Sequence, residues 1–195
     1  MLTMTREPDA PARSLLEEFH ALDARTPEGY RAELLDGAIT VTPPPDGNHE
    51  RWIARILSQV IRNSAEPVDG AGHKGLIVPA RGQDVSGHVI PDITFARREA
   101  DVFLDAPPWM PAAGIAMVVE VTSSLPGRDR EAKRHAYASA RISLYLLADR
   151  QARTITLFTT PQRDDYVGRF IVSVGDKLEL PAPFSFALDT SEFAD

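Results

Sequence analysis

The segment IAMVVEVTS at 115–123 is the most hydrophobic strand-like stretch of this 195-residue chain. Its apolar residues do not alternate with polar ones, which is typical of a strand buried on both faces at the centre of a sheet. A basic helical stretch follows at 128–141, and then a second buried strand, ISLYLLAD, at 142–149. These segments favour a fold built around a mixed sheet with flanking helices.

Further helices and strands are expected upstream and downstream. Residues 13–24 place their leucines and a phenylalanine on one helical face, and residues 30–42 read as a hairpin that turns at Asp36-Gly37. Asn48 is expected to cap a second helix. Alternating strands end the chain and indicate antiparallel pairing.

Composition excludes several classes of protein. No cysteine is present, so disulfides and thiolate-bound zinc or iron–sulfur sites are excluded. Neither a signal peptide nor an apolar run of roughly 20 residues is found, so we expect a cytoplasmic protein. The net charge of −7 argues against a general nucleic-acid coat. We predict an α/β (α+β) fold in one domain at 14–195, after a flexible N-terminus at 1–13.

Two acidic residues interrupt hydrophobic strands. HVIPDITFAR at 88–97 reads as one strand with Pro91 and Asp92 in its middle, and Glu120 lies inside MVVEVTS. An isolated buried carboxylate is costly or becomes protonated. If both side chains face one side of a sheet, a divalent cation offsets that cost, and oxygen ligands suit Mg²⁺ or Mn²⁺. For either acid alone, an arginine partner or an exposed strand end is an equally good explanation.

A cationic stripe follows on the next helix. Lys133 is one of only three lysines in the chain, and with Arg130, Arg134, Tyr137 and Arg141 it forms a stripe in which successive turns are three or four residues apart. The arginines are candidate phosphate contacts that position nucleic acid rather than read its sequence. A solvated helix face is the alternative interpretation for them, whereas for Lys133 we favour a functional role.

In this order and spacing the motifs resemble the Uma-type restriction endonuclease family of the PD-(D/E)XK nuclease superfamily. The resemblance rests on Pro91-Asp92, Glu120-Val121-x-Ser123, the helical Asp129, Lys133 and Tyr137, and the SLYLLAD strand. The upstream hairpin with its following histidine (30–50) is similar as well, and about 14–180 is covered. The resemblance implies a restriction-endonuclease-like core with an N-terminal helix and β-hairpin.

The resemblance also implies roles for individual residues. Asp92 and Glu120 are implied as the two metal-binding carboxylates, and the backbone carbonyl of Val121 as a further ligand. Glu33 is implied as the acidic residue upstream of them. His49 matches a family position, and we place it among the nucleic-acid contacts. The superfamily lysine stands two residues after the second acid, where this chain has Thr122, and Lys133 is expected to replace it from the following helix.

The predicted function is metal-dependent hydrolysis of DNA phosphodiester bonds, with Mg²⁺ or Mn²⁺ as cofactor and a homodimer as the assembly. A catalytically inactive module of the same fold, binding nucleic acid or a protein partner, is the alternative. A glycoside hydrolase with Asp92 and Glu120 as its carboxylate pair is a third interpretation, with only Trp52 and Trp109 as sugar platforms. His88 is expected at an exposed strand end, and the loop around Trp109 is a candidate subunit contact.

Overall fold

The computed structural model describes residues 14–80, 85–122 and 128–193, without the side chains of 128–130. Three α-helices lie in these ranges: α1 (Leu15–Asp23), α2 (Gly47–Asn63) and α3 (Arg128–Ser139). None of them is long and apolar enough to cross a membrane. The strands in chain order are β1 (Arg31–Leu35), β2 (Ala38–Thr42), β3 (Val68–Gly72), β4 (Gly75–Val78), β5 (Gly87–Val89), β6 (Ile93–Arg97), β7 (Trp109–Pro111), β8 (Ile115–Val121), β9 (Leu144–Asp149), β10 (Thr154–Gln162), β11 (Asp165–Ser173), β12 (Lys177–Leu180) and β13 (Phe186–Asp189).

These strands form two main sheets and a separate hairpin of β12 and β13. The larger sheet has six strands in the order β11-β10-β9-β8-β6-β3, and the smaller has five in the order β2-β1-β5-β4-β7. In the larger sheet β8 and β9 are parallel neighbours, and α3 lies between them in sequence, as a parallel pair requires. The remaining pairs of that sheet are antiparallel. The prediction of an α+β fold with a mixed sheet flanked by helices is confirmed.

Burial of β8 on both faces explains why its apolar residues do not alternate. Met117 and Val119 belong to a core cluster that includes Ile56 of α2. Val118, which points the other way, belongs to a second cluster that includes Tyr137 of α3. Because the two helices cover opposite faces of β8, Glu120 falls on the α3 side, with Val118.

The segment 88–97 is two strands, so the prediction of one continuous strand is wrong. β5 pairs with β1 and β4 in the smaller sheet, whereas β6 pairs with β3 and β8 in the larger one. The residues between them, Ile90, Pro91 and Asp92, carry the chain from one sheet to the other. Pro91 has no N–H to donate, and this crossing leaves no ladder bond for it to make.

The hairpin and the first helix follow their sequence signals. Asp36 and Gly37 form the two-residue turn between β1 and β2 with positive φ angles of 48° and 79°. Ser14 caps α1 in a capping box with Glu17, which satisfies two backbone N–H groups.

The start of α2 differs from the prediction. Asp46 rather than Asn48 is its cap, and a carboxylate oxygen of Asp46 accepts a hydrogen bond from the backbone N–H of His49 at 2.8 Å. Both residue types are good caps, so composition alone does not distinguish them. The earlier start places His49 within the first turn, where its ring reaches the end of β8.

Candidate active site

The site lies where the chain crosses between the two sheets. Asp92 immediately precedes β6, and the pairing of Ile93 with Val119 places Asp92 opposite Glu120 when the antiparallel register is extended by one residue. Cross-strand neighbours project on the same side of a sheet. The extended register therefore puts the two acids on one face of the sheet.

A cavity of about 340 Å³ opens at this position. Its charged lining residues are four carboxylates and two permanently charged cations, namely Glu33, Asp46, Asp92, Glu120, Arg31 and Lys133. Three consecutive prolines, at 43–45, form part of its wall. An excess of carboxylate over cation in a partly buried cavity favours the uptake of positive charge.

Asp92 is held by contacts to both of its oxygens. Oδ2 accepts a hydrogen bond of 2.8 Å from the N–H of Val121 and lies 3.2 Å from Nε2 of His49. Oδ1 lies 3.1 Å from Nη1 of Arg31. Burial would raise the pKa of Asp92, but the hydrogen bond and charge of His49, the Val121 N–H and the charge of Lys133 outweigh it and lower the pKa. Asp92 is therefore ionised and fixed in orientation.

Lys133 reaches the site from α3. Its Nζ lies 3.0 Å from Oε1 of Glu33 and 3.1 Å from Oε1 of Glu120, and only 6% of the residue is exposed. Thr122, at the position where the superfamily has its lysine, instead makes hydrogen bonds to Asp149 and to the N–H of Arg150 at the end of β9. The helix thus delivers the ammonium group that the strand lacks.

Glu120 has a strongly perturbed carboxyl group. Burial raises the pKa of Glu120 to about 8, and the nearby Asp92 and Glu33 add to this, although the charge of Lys133 opposes it. The hydroxyl of Tyr137 donates a hydrogen bond to Oε1 of Glu120. A carboxyl group with such a pKa is protonated at neutral pH until additional positive charge is placed beside it.

Glu33 connects the cavity to the smaller sheet. It lies on β1, is buried, and accepts a hydrogen bond from the backbone N–H of Ile90, on the connection between the sheets. The ion pair with Lys133 joins it to α3. Glu33 therefore fixes the crossing segment that carries Asp92.

His49 lies deeper in the site than a nucleic-acid contact requires. Its Nε2 lies 2.9 Å from the carbonyl oxygen of Val121 and 3.2 Å from Oδ2 of Asp92. Nδ1 is buried and makes no hydrogen bond to any described residue, and Oε1 of Glu50 is 3.8 Å away. Burial would lower the pKa of His49, but the hydrogen bond to Asp92 and the charge of that residue raise it above its ordinary value.

Three residues of the site are missed or undervalued by reasoning from the sequence. Arg31 has a signal that could have identified it, because it stands two residues before Glu33 on a strand and so shares its face. His73, whose Nε2 lies 2.6 Å from Nη2 of Arg31, has no comparable signal. Tyr137 has the pattern of a packing residue, and it does pack edge-on against Tyr145, but its hydroxyl also contacts Glu120.

The predicted cationic stripe is not brought to the cavity as a whole, and Arg141 lies beyond the end of α3 at Ser139 rather than on the helix. Arg134 pairs with Asp165 at 2.9 Å, and Arg141 donates to the carbonyl oxygen of Pro161. Neither residue lines the cavity. The side chain of Arg130 lies outside the described part of the chain.

The expectation that His88 begins an exposed strand end is wrong. Only 4% of His88 is exposed, and its ring packs against Phe19 of α1 and Trp109 of β7. The indole N–H of Trp109 donates to the carboxylate of Asp23. These contacts arise because α1 covers the smaller sheet, and they cover part of the surface considered for a second subunit.

Within the described ranges no group of three or more histidine and acidic side chains forms a ready-made metal cage. The donors available are the carboxylates of Asp92 and Glu120 and the carbonyl oxygen of Val121, with His49 beside them. Oxygen donors of this number suit a cation that retains several waters, as Mg²⁺ does. The donor set therefore fits a divalent cation.

The mixed sheet with its three flanking helices is a nuclease-like fold. A sequence model described as "Uma2: Putative restriction endonuclease" matches residues 16–191, and the chain belongs to the Uma2 family. A crystal structure described as a "putative nuclease belonging to DUF820" from Anabaena variabilis is similar, with a TM-score of 0.68 and 16% identity over 91% of this chain and 96% of that chain. No curated protein matches the chain.

Proposed function

We propose that the protein is a divalent-metal-dependent nuclease that hydrolyses DNA phosphodiester bonds in this cavity. The observation that carries the proposal is the convergence of Asp92, Glu120 and Lys133. Two carboxylates from adjacent strands can hold a cation, and an ammonium group beside them can stabilise negative charge on a phosphate. Membership of the Uma2 family supports the reaction class, and DNA is inferred from that membership.

The cation would be held by Asp92, Glu120 and the carbonyl oxygen of Val121. Two ligands at right angles on a cation with bonds of about 2.1 Å are separated by roughly 3.0 Å. The distances of His49 Nε2 to the Val121 oxygen (2.9 Å) and to the Asp92 oxygen (3.2 Å) are of this size. We therefore propose His49 as a nitrogen ligand in place of its expected contact with nucleic acid.

When bound, the cation would polarise the phosphate and lower the pKa of a water molecule. The protein residues have distinct tasks around it. Lys133 offsets the charge that develops on the phosphate, and Glu33 holds the ammonium group toward Glu120. Tyr137 fixes the rotamer of Glu120 through its hydroxyl. Burial of these groups strengthens each electrostatic interaction and excludes bulk water.

Calorimetric titration of Mn²⁺ tests the metal site, with wild-type protein, Asp92→Ala and Glu120→Ala, each with and without a short DNA duplex. We expect wild-type binding that both substitutions abolish, together with cleavage of the duplex by the wild type alone. Asp69→Asn is the matched control, because Asp69 pairs with Arg98 on the surface and lies outside the cavity. Failure of the wild type to bind Mn²⁺ with DNA present would contradict the proposal.

An inactive module that binds nucleic acid or protein is the second candidate. The contact of Lys133 with two carboxylates favours it, because an ammonium group so engaged is less available to a phosphate. Binding of the duplex without cleavage in Mg²⁺ or Mn²⁺ would support this candidate. The glycoside hydrolase interpretation loses support, since neither Trp52 nor Trp109 lines the cavity. A homodimer stays a prediction, which sedimentation velocity will test.

A further inference from the structure

We propose that Arg31 binds the scissile phosphate, and that its contact with Asp92 holds the guanidinium group ready until a divalent cation takes over the charge of that carboxylate. This inference rests on the proposed nuclease function and adds to it the residue that recognises the phosphate. It also predicts an order of events, in which the cation binds first and the phosphate second.

The position of Arg31 gives it access to both partners. It is the first residue of β1, lines the cavity, and has 19% of its side chain exposed. Nη1 lies 3.1 Å from Oδ1 of Asp92, whereas the contacts of His49 and Val121 are made to Oδ2. The guanidinium group therefore contacts one oxygen of the carboxylate, whereas His49 and the Val121 N–H contact the other.

Lys133 and Arg31 are the permanently charged cations of the described cavity lining, and they differ in their surroundings. Lys133 is held within about 3 Å of two carboxylates. Arg31 pairs with the single carboxylate of Asp92 among the described residues of the cavity. A planar guanidinium group can donate two parallel hydrogen bonds to phosphate oxygens, which an ammonium group cannot do. Arg31 is thus the better phosphate ligand.

A cation bound to Asp92 would weaken the attraction between Asp92 and Arg31. The carboxylate charge that attracts the guanidinium group would be shared with the cation, and the two positive charges would repel at short range. A phosphate oxygen placed between them removes that repulsion and gives Arg31 a new anionic partner. The same contacts therefore make cation and phosphate binding mutually favourable, which is a coupling free energy between two ligands.

His73 keeps the guanidinium group oriented. Its Nε2 lies 2.6 Å from Nη2 of Arg31, and because a guanidinium group has only donors, Nε2 must accept. His73 has a positive φ of 52°, in the left-handed region, and its N–H donates to the carbonyl oxygen of Asp92. Backbone strain of this kind persists where the surroundings fix it, often at functional sites.

Two substitutions, Arg31→Gln and Arg31→Lys, test the proposal with two binding measurements. Calorimetry measures the affinity for Mn²⁺ alone, and fluorescence anisotropy measures the affinity for a short DNA duplex in Ca²⁺ and without divalent cation. We expect Arg31→Gln to bind Mn²⁺ at least as tightly as the wild type and to lose roughly tenfold in duplex affinity, only when Ca²⁺ is present. The duplex affinity of Arg31→Lys in Ca²⁺ should lie between that of the wild type and that of Arg31→Gln. Arg98→Gln, which removes a surface arginine paired with Asp69, is the matched control.

Each contrary outcome has a distinct meaning. Weaker Mn²⁺ binding by Arg31→Gln, in protein with an unchanged circular dichroism spectrum, would show that Arg31 merely orients Asp92 and would overturn the proposal. Unchanged duplex affinity, or an equal loss without Ca²⁺, would overturn it as well. If the wild type binds no Mn²⁺, the proposed nuclease function fails and this inference fails with it. If the wild type binds Mn²⁺ and Arg31→Gln behaves like Arg98→Gln, only the inference about Arg31 fails.

Discussion

The ammonium nitrogen of Lys133 lies 3.1 Å from Oε1 of Glu120, and it approaches that oxygen from α3 rather than from the strand that carries the acid. Because α3 covers the face of β8 on which Glu120 lies, a helical lysine can take the place of one on the strand. The charge of Lys133 opposes the rise in the pKa of Glu120, and the same ammonium group forms a buried ion pair with Glu33 at 3.0 Å, so that the Glu33 carboxylate becomes costly when Lys133 is removed.

Removal of Lys133 should destabilise the fold. Lys133→Met is expected to lower the free energy of unfolding by about 3 kcal/mol, because the Glu33 carboxylate would remain buried without its cation. Adding Glu33→Gln to this variant should recover part of the loss. Urea denaturation measures both effects, with Lys177→Met as the surface control. A change as small as that of the control would show that the ion pair of Lys133 with Glu33 does not stabilise the fold.

The sequence is most informative where a residue conflicts with its own strand. Glu120 interrupts β8, and Asp92 interrupts an apolar segment that the structure divides into β5 and β6, and in both cases the conflict singles out the acid from the sequence alone. Lys133 is indicated by the absence of a lysine at Thr122 together with the scarcity of lysine in the chain. Hydrophobic burial decides strand positions, so a residue that opposes it signals a second requirement.

Other features depend on tertiary contacts that local patterns do not specify. Nothing in residues 88–97 distinguishes one strand from two strands in different sheets, because both states satisfy the same apolar pattern. His73 reaches Arg31 only through the positive φ of a turn. The sequence predicts an exposed His88, but α1 packs over it, and the covering helix is distant in sequence.

The affinity for Mn²⁺ should increase with pH up to about 8. Burial raises the pKa of Glu120 to about 8, so below that value a proton must leave the carboxyl group before a cation can bind. The dissociation constant should fall by roughly tenfold or more per pH unit between pH 6 and 8 and then level off, because His49, whose pKa is also raised, must likewise lose a proton before its ring nitrogen can bind the cation. Calorimetry in buffers of different ionisation enthalpy measures the released proton. A flat profile over this range would show that Glu120 is already ionised, and Asp69→Asn should keep the wild-type slope.

Acid should destabilise the protein partly through His88. Burial lowers the pKa of His88, with the charge of His20 acting in the same direction. The unfolded chain therefore takes up a proton near the ordinary pKa of about 6.5, before the folded chain does. The contribution of His88 to the free energy of unfolding is fully present above the pKa of the unfolded chain. It is lost as the pH falls toward the lower pKa that His88 has in the folded protein. The urea midpoint of His88→Phe should decline less between pH 7 and 5 than that of the wild type. An equal decline in the two proteins would mean that groups other than His88 cause the loss of stability in acid.

His49 should control which cation the site prefers. A nitrogen ligand adds more affinity for Mn²⁺ than for Mg²⁺, which favours oxygen ligands. His49→Ala is therefore expected to weaken Mn²⁺ binding by about tenfold or more and Mg²⁺ binding by less, so that the ratio of the two affinities falls. Calorimetry with each cation gives this ratio, and His135→Ala, at a histidine of α3 that contacts the carbonyl oxygen of Asp164, is the control. The opposite result, tighter binding of both cations by His49→Ala, would mean that the imidazole occupies the position of the cation and must leave before the cation can bind.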